Sequence, residues 1–347
     1  VLWSTVEKTA LADAEVEYKD LTSNTIYVPF QIKKTNKEIL KDSNIIIWTT
    51  TPWTIPANKA LAFNKDIEYS LIEIEGLEFF NEKRIVVASK LIDTVMKSCG
   101  IENYKIIISF KGGELINTIC THPFKNLGYN YDVPMYDAGF VNLDQGTGIV
   151  HCAPSHGIDD FNLCLKNNIK SSYTVDNSGL YTKEIPFFAN THIFKADTIV
   201  IEKLKEENKL LKNYKMSHSY PHSWRSKAPL IYRATSQWFI SMEKNDLRKK
   251  TIRAIEGVKW IPANSKNRIL SMMNERPDWC VSRQRSWGVP ITIFIEKKTQ
   301  KPLLDLDVNK KILSVLKSKG VDSWFELNND EFLTENYDPN DFIKVNS

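Results

Sequence analysis

NIIIWTTTPWTIPAN, at residues 44–58, is an apolar β-type run that breaks off into a row of threonines between two prolines and two tryptophans. Similar short runs surround it: NTIYVPFQI (24–32), EYSLIEI (68–74), KRIVVAS (83–89) and YKIIISF (104–110). β-Branched and aromatic residues dominate these runs, and polar or glycine-containing breaks separate them, which is typical of strands. Many short strands at this spacing predict a mainly β fold, a barrel or a sandwich, from about residue 25 to residue 140.

Helical periodicity is limited to a few segments. Residues 89–100 carry apolar side chains at helical spacing and end on Gly100, and residues 159–168 read as a helix that opens with acidic residues. Residues 195–212 predict an amphipathic helix with Asp197 or Thr198 as its N-cap. Near the end of the chain we expect a hairpin at 292–304 and a helix from about Asp307 to Lys319.

Composition bounds the class of protein. The 347 residues are 42% hydrophobic and 25% charged, which predicts a globular protein, most simply of two domains. No apolar run approaches the roughly 18 residues that would span a bilayer. The cysteines are odd in number and form no CxxC pair, so reduced thiols are expected. Both ends of the sequence suggest that the chain is a piece of a longer protein.

The net charge of +4 hides a strongly basic segment. Residues 210–285 contain 16 Lys and Arg against 5 Asp and Glu, a local charge of +11, so the rest of the chain carries −7. Several tryptophans, Trp287 among them, lie in or just after this segment. Such a segment is typical of a polyanion-binding surface, with a solvated structural face as the alternative.

The threonine row is the first candidate site. Strand alternation places Thr49 and Thr51 on one face and Thr50 on the other, and Pro52 forces the chain out of the sheet. The result is a set of hydroxyls at a strand exit, suited to a ribose, a water or a phosphate. Threonine also simply favours strands, which is the alternative for any single position.

A second segment, GTGIVHCAPSHGIDDF at 146–161, carries the other candidates. Its glycines permit close backbone approach by a ligand, and Asp160 near a helix N-terminus suits recognition of an ammonium group. Two rivals stay open here. His151, Cys152, His156, Asp160, His218 and His222 could ligate a metal, although no metal-binding spacing is present. A Cys152 nucleophile with His156 is the weaker rival.

Together, these two segments resemble the signature segments of the editing domain of isoleucyl-tRNA synthetases. Valyl and leucyl relatives carry a TTRP-type version of the first segment, so Pro52-Trp53 resembles the isoleucyl branch. HSYPHSWRSKAPLIYRATSQWF (218–239) and RPDWCVSRQRSWGVPI (276–291) resemble the stretches that return to the synthetic domain. The resemblance covers nearly the whole chain.

The resemblance implies a mainly β fold with α: a β-barrel editing domain with peripheral helices and a smaller α/β tail. Residues 1–24 would connect from the synthetic domain, 25–218 form the editing domain, 219–290 the basic return segment, and 291–347 part of a second insertion. It implies that Asp160 binds the α-ammonium, that Thr49, Thr50 and Thr51 surround the terminal adenosine and the attacking water, and that His151 limits the side-chain pocket. Further substrate contacts are implied for Trp48, Thr54, Asn58, Gly148 and Trp224.

The implied activity is hydrolysis of valine from isoleucine tRNA, sparing the isoleucyl ester. No HIGH-type segment is present, so the piece itself is expected to lack aminoacylation. The implied partners are the valine-bearing 3′ end of tRNA(Ile), valine and valyl-adenylate. A bacterial, cytoplasmic monomer without a membrane is expected. No metal or other cofactor is expected for the piece; ATP and Mg²⁺ belong to the parent's synthetic site. The alternative is a non-catalytic tRNA-positioning module.

Overall fold

The computed structural model describes residues 1–75, 77–285 and 288–345, so Trp287 of the basic segment lies outside the described residues. The chain divides into two compact units, Val1–Ser236 and Gln237–Ser347. The predicted four-part division stays a prediction. No helix in the described parts is long and apolar enough to cross a membrane.

Residues 1–75 and 77–236 of the first unit contain thirteen strands, and the five predicted β-type runs are all among them. The strands are β1 (Leu2–Ser4), β2 (Thr9–Leu11), β3 (Val16–Lys34), β4 (Asn44–Thr49), β5 (Ala60–Phe63), β6 (Glu68–Ile74), β7 (Arg84–Ala88), β8 (Tyr104–Lys111), β9 (Ile119–Thr121), β10 (Asp132–Asp137), β11 (Val150–Cys152), β12 (Lys212–Ser223) and β13 (Ile231–Tyr232).

Ten of these strands form one mixed sheet in the order β11-β5-β10-β9-β3-β4-β7-β6-β8, with β12 also paired to β3. β5 with β10 and β4 with β7 are parallel pairs, and the other pairs are antiparallel. The mainly β class is confirmed. Within the described residues the end strands β11 and β8 do not pair, so the sheet is not closed into a barrel by hydrogen bonds. β11 nevertheless lies close to β4, which brings two distant parts of the sequence together.

Strand β3 has two parts with different neighbours. Its first part pairs with β12 from Val16↔Ser223 to Tyr27↔Lys212, and its second part pairs with β4 and then β9. Side chains of the first part are mostly exposed or half-buried, whereas Thr25–Phe30 are buried. The first part is therefore a two-stranded ribbon, and the second part is a core strand.

The described residues of the first unit also form three α-helices: α1 (Ile92–Cys99), α2 (Ile158–Lys166) and α3 (Ile193–Glu206). α1 ends as predicted on Gly100, whose φ of 72° is the left-handed conformation that glycine favours. α2 buries Leu163 and Cys164 against a cluster that includes Cys152 of β11. The predicted cap of α3 is wrong, because the helix begins at Ile193 and the His192 side chain accepts the Phe194 amide.

The second unit contains α4 (Leu247–Glu256), α5 (Ser265–Asn274), α6 (Leu306–Lys319) and α7 (Ser323–Glu326). Its strands are β14 (Phe239–Ile240), β15 (Trp279–Cys280), β16 (Phe294–Glu296) and β17 (Phe342–Lys344). Trp324, Phe332 and Phe294 form its buried core. The hairpin predicted at 292–304 is confirmed: Ile295 bridges Pro302, and the Leu303 amide donates to the Phe294 carbonyl at 2.8 Å. β16 also pairs with the distant β17.

Candidate functional site

The threonine row lies where β4 leaves the sheet. β4 ends at Thr49, and a 3-10 segment runs from Pro52 to Ala57, as the proline predicts. The Thr49 and Thr51 hydroxyl oxygens are 3.1 Å apart, and the Thr51 amide also donates to Thr49 Oγ1 at 3.1 Å. Thr51 Oγ1 lies 3.5 Å from Thr54 Oγ1. These three hydroxyls therefore form a continuous chain on one side of the strand exit.

Thr50 does not take part in this row of hydrogen-bonded hydroxyls, as strand alternation predicts. Its side chain is half-buried. Within residues 1–75, 77–285 and 288–345 its hydroxyl makes no hydrogen bond. Its Oγ1 is consequently free to bind a water or a ligand oxygen.

His151 is held between Thr54 and Asn58. Its Nε2 lies 2.8 Å from Thr54 Oγ1, and its Nδ1 lies 3.1 Å from Asn58 Nδ2. The Thr54 hydroxyl already donates its one proton to the Thr51 carbonyl at 2.8 Å, so it accepts from His151. The Asn58 amide donates to Nδ1, which makes the imidazole the neutral tautomer with its proton on Nε2.

Burial keeps this imidazole neutral. His151 is 7% exposed, and desolvation lowers its pKa to about 3, with His156 adding to the effect. Both ring nitrogens are used by Thr54 and Asn58. The ring can therefore fill space and shape a pocket, and in this arrangement neither nitrogen is free to act as a general base.

Asp160 is held by the loop that follows β11, at Ala153, two residues after His151. Its Oδ2 accepts the Ala153 amide at 2.8 Å, and its other oxygen accepts no hydrogen bond from another described residue. A Cβ on Gly157 would lie 2.8 Å from the Asp160 carboxylate, so only glycine permits this approach at the N-terminus of α2.

The Asp160 carboxyl has an unusual pKa. Burial raises it to about 6, with the charge of Asp159 also raising it and the Ala153 amide lowering it. The group is partly exposed and ionised at neutral pH. An ionised carboxylate with a free oxygen at a partly buried position suits an ammonium ligand.

The 3-10 segment is fixed by side chains that the sequence patterns did not assign to this site. Asp197 Oδ1 accepts the Trp53 amide at 2.9 Å, and the Tyr181 hydroxyl donates to the Trp53 carbonyl. His122 Nε2 donates to the Ile55 carbonyl at 3.1 Å, and the Tyr131 hydroxyl donates to the Asn58 carbonyl at 2.7 Å. These residues are far apart in sequence, and no local pattern marks them.

Trp48 and the two glycines pack within the protein. Trp48 is half-buried and donates from Nε1 to the Tyr214 hydroxyl at 3.2 Å. Gly146 (φ 81°) lies on the Trp48 ring, and a Cβ on Gly148 (φ 73°) would lie 2.4 Å from the Ala88 Cβ. The structure thus explains both glycines by internal packing, and substrate contact at Gly148 stays a prediction.

Trp224 lies at the far end of the ribbon. It is 48% exposed, follows Ser223, and Ser223 pairs with Val16. Among the described residues, Trp224 makes no hydrogen bond or ring contact with Thr54, Asn58 or His151, and its tRNA contact stays a prediction.

The residues of the metal and cysteine alternatives point in different directions. His156 contacts the Tyr232 carbonyl and the Thr174 hydroxyl, each at 2.9 Å, rather than Cys152. His218 contacts Ser23, and the ring of His222 contacts the Tyr220 carbonyl. No group of three or more His, Cys, Asp or Glu among the described residues is placed to hold a metal.

Comparisons with known proteins give the following matches. A family model described as tRNA synthetases class I (I, L, M and V) matches residues 1–345. The isoleucine-tRNA ligase of Pelagibacter ubique (strain HTCC1062) is 58% identical over 345 residues, covering 99% of this chain and 38% of the relative. That of Gluconobacter oxydans (strain 621H) is 43% identical over 366 residues, with 99% and 38% covered. The chain thus spans little more than a third of these relatives.

A solved structure, the editing domain of the P. falciparum cytosolic leucyl-tRNA synthetase, matches 55% of this chain and 99% of its own. The sequence identity is 12% and the TM-score is 0.42. At this TM-score the likeness is too weak to support a statement about the fold or the function of the chain.

Proposed function

The chain belongs to the family of class I tRNA synthetases (I, L, M and V), and we propose that it is the editing part of an isoleucine-tRNA ligase, which hydrolyses valine esterified to tRNA(Ile). The 58% identity to a named isoleucine-tRNA ligase supports the isoleucyl branch. The observation that carries the proposal is the neutral His151, fixed by Thr54 and Asn58. Asp160 adds to it, because one of its oxygens accepts the Ala153 amide and the other accepts no hydrogen bond from another described residue.

Selectivity is the physical reason for such a site. A pocket that accepts isoleucine gains only about 1–3 kcal/mol from the extra methylene, a limit for which isoleucyl-tRNA synthetases are themselves the usual example. A second pocket, too small for isoleucine, turns this small difference into steric exclusion. A buried imidazole with both nitrogens hydrogen-bonded is rigid, and a rigid side chain is what size exclusion requires.

The proposed reaction is hydrolysis of the aminoacyl ester. Water adds to the ester carbonyl, the bond between that carbon and the ribose oxygen breaks, and the ribose oxygen takes up a proton. Asp160 binds the α-ammonium, and the Thr49–Thr51 hydroxyls position the ribose and the water. Positioning alone supplies a large part of the rate for an activated ester, so no covalent nucleophile is needed. We expect a substrate ribose hydroxyl to assist the proton transfer.

The proposed substrates are the valine-bearing 3′ end of tRNA(Ile) and, secondarily, valyl-adenylate. Hydrolysis is expected to need neither ATP nor Mg²⁺, and the chain is expected to act as a monomer. On α4 of the second unit, Lys249, Lys250 and Arg253 are exposed, which favours a contribution of this unit to tRNA binding. A purely tRNA-positioning role remains the second candidate.

The test uses release of valine from Val-tRNA(Ile) by Asp160→Ala and Asp159→Ala. The two acids are neighbours on α2, but Asp159 is exposed and makes no hydrogen bond to another described residue. We expect Asp160→Ala to lose most of the activity and Asp159→Ala to retain it. Equal activity of the two variants would rule out the ammonium role, and tRNA binding without any valine release would favour the positioning module.

A further inference from the structure

The Pro52–Ala57 segment carries a backbone donor that its own chain leaves unpaired. Pro52 has no N–H, and the Thr54 amide donates to the Thr51 carbonyl at 3.0 Å. The Trp53 amide is thus the orphan donor of the segment's first turn, and Thr51 gives no side-chain cap. Asp197, from the second turn of α3, accepts this amide at 2.9 Å. Asp197 therefore acts as an N-cap supplied by another helix.

We infer that Asp197 is a positioning residue for the proposed hydrolysis, because it fixes Thr54 and, through Thr54, the imidazole that limits the size of the bound amino acid. This inference rests on the proposed function and adds to it a residue that does not touch the substrate.

Both peptide groups of Trp53 are held from outside the segment. Asp197 accepts the amide, and the Tyr181 hydroxyl donates to the carbonyl, which belongs to the peptide bond with Thr54. The Trp53 ring contacts the edge of His156 at a centroid distance of 4.7 Å. With Trp53 fixed in this way, Thr54 Oγ1 lies 2.8 Å from His151 Nε2. Loss of the Asp197 contact would leave the Tyr181 hydroxyl as the remaining hydrogen bond from outside the segment to the Trp53 backbone.

Packing of α3 against the Pro52–Ala57 segment does not by itself account for an acidic side chain at Asp197. Burial raises its pKa to about 7, with the Trp53 amide opposing the shift. No Lys, Arg or His forms an ion pair with it in the described parts of the chain. An apolar residue would pack against this segment at lower cost. The side-chain oxygen instead gives the Trp53 amide an acceptor that an apolar residue would lack, which is the contact the inference needs.

The experiment compares Asp197→Ala, Asp197→Asn and Glu202→Ala in the whole chain. Asn keeps an acceptor oxygen at the same place, and Glu202 is an exposed acid on the same helix. The first measurement is NMR: hydrogen exchange of the Trp53 amide and the ring nitrogen shifts of His151. The second is kcat and KM for release of valine and of isoleucine from tRNA(Ile).

We expect Asp197→Ala to accelerate exchange of the Trp53 amide and to shift the His151 signals. We also expect it to lower the valine-over-isoleucine ratio of kcat/KM by about 10- to 100-fold, with KM for Val-tRNA(Ile) nearly unchanged. Asn should restore most of both properties, and Glu202→Ala should match the wild type. If Asp197→Ala acted only by lowering stability, its activity with the valyl and the isoleucyl ester would fall equally. Asp197→Asn would then not restore the discrimination between the two esters.

Two results would overturn the inference: a protected Trp53 amide with unshifted His151 signals in Asp197→Ala, or undiminished discrimination in that variant. If the wild-type chain releases no valine, the proposed function fails, and the NMR measurement alone then decides the positioning role. A disturbed Trp53 and His151 in Asp197→Ala would support that role even in this case.

Discussion

Replacing Thr54 by valine removes one oxygen from the buried chain of hydrogen bonds while nearly conserving the side-chain volume. Thr54 is 5% exposed, donates to the Thr51 carbonyl and accepts from His151 Nε2. The substitution leaves the Nε2 proton without its partner in a buried site, which costs about 1–3 kcal/mol. For a unit of this size that corresponds to a fall in melting temperature of about 2–4 °C for each kcal/mol.

Thr50→Val is the matched control, because the Thr50 hydroxyl makes no hydrogen bond with the described residues. We expect its free energy of unfolding to stay within about 0.5 kcal/mol of the wild type. The assay is urea unfolding of both variants, followed by tryptophan fluorescence and circular dichroism. Equal stability of the two variants would refute the hydrogen bond between Thr54 and His151 as a stabilising contact.

Three further predictions concern the carboxylates around the site. Gly157→Ala places a methyl group against the Asp160 carboxylate and should lower kcat/KM for Val-tRNA(Ile) by about 100-fold. Circular dichroism should show that the variant is folded. Wild-type activity of the variant would contradict the packing argument. The kcat/KM for Val-tRNA(Ile) should fall as the pH drops through about 6, because Asp160 must be ionised to bind the ammonium group. If Asp160→Asn keeps the wild-type activity and pH profile, this role of Asp160 is wrong. Burial raises the pKa of Asp197 to about 7, so the folded state holds this proton more tightly than the unfolded state, and stability falls as the pH rises from about 4 to 7. Asp197→Asn should therefore unfold at a higher urea concentration than the wild type at pH 8 but at a similar concentration at pH 4. A difference between the two urea midpoints that does not change with pH would contradict this.

Local patterns in the sequence predicted the local features of the fold. The β-type runs of β3, β4, β6, β7 and β8 and the glycine end of α1 were found where their patterns placed them. The turn from Thr49 into the Pro52 segment was also correct, because alternation and a missing amide proton act within a few residues.

Features that depend on distant pairing were missed. β12 pairs with β3 across nearly two hundred residues, and β16 pairs with β17 in addition to its hairpin partner. Asp197 was expected as a helix cap, but it faces the Trp53 amide from another element. Nothing within a window of adjacent residues specifies such contacts, since they depend on how whole elements pack.

The resemblance assigned Thr54, Asn58 and His151 to one pocket, and the structure brings these three side chains into contact. Their roles, and those of the other site residues, stay predictions. Hydrogen-bond geometry added what the sequence patterns lacked: the tautomer of His151, the free oxygen of Asp160 and the outside support of the 3-10 segment.

The central claim is that this chain releases valine and spares isoleucine because His151 limits the pocket. The most direct test is single-turnover release of each amino acid from the same tRNA(Ile), by the wild-type chain and by His151→Ala. We expect the wild type to release valine only and His151→Ala to release isoleucine as well. Equal release of both amino acids by the wild type, or unchanged discrimination in His151→Ala, would contradict the claim.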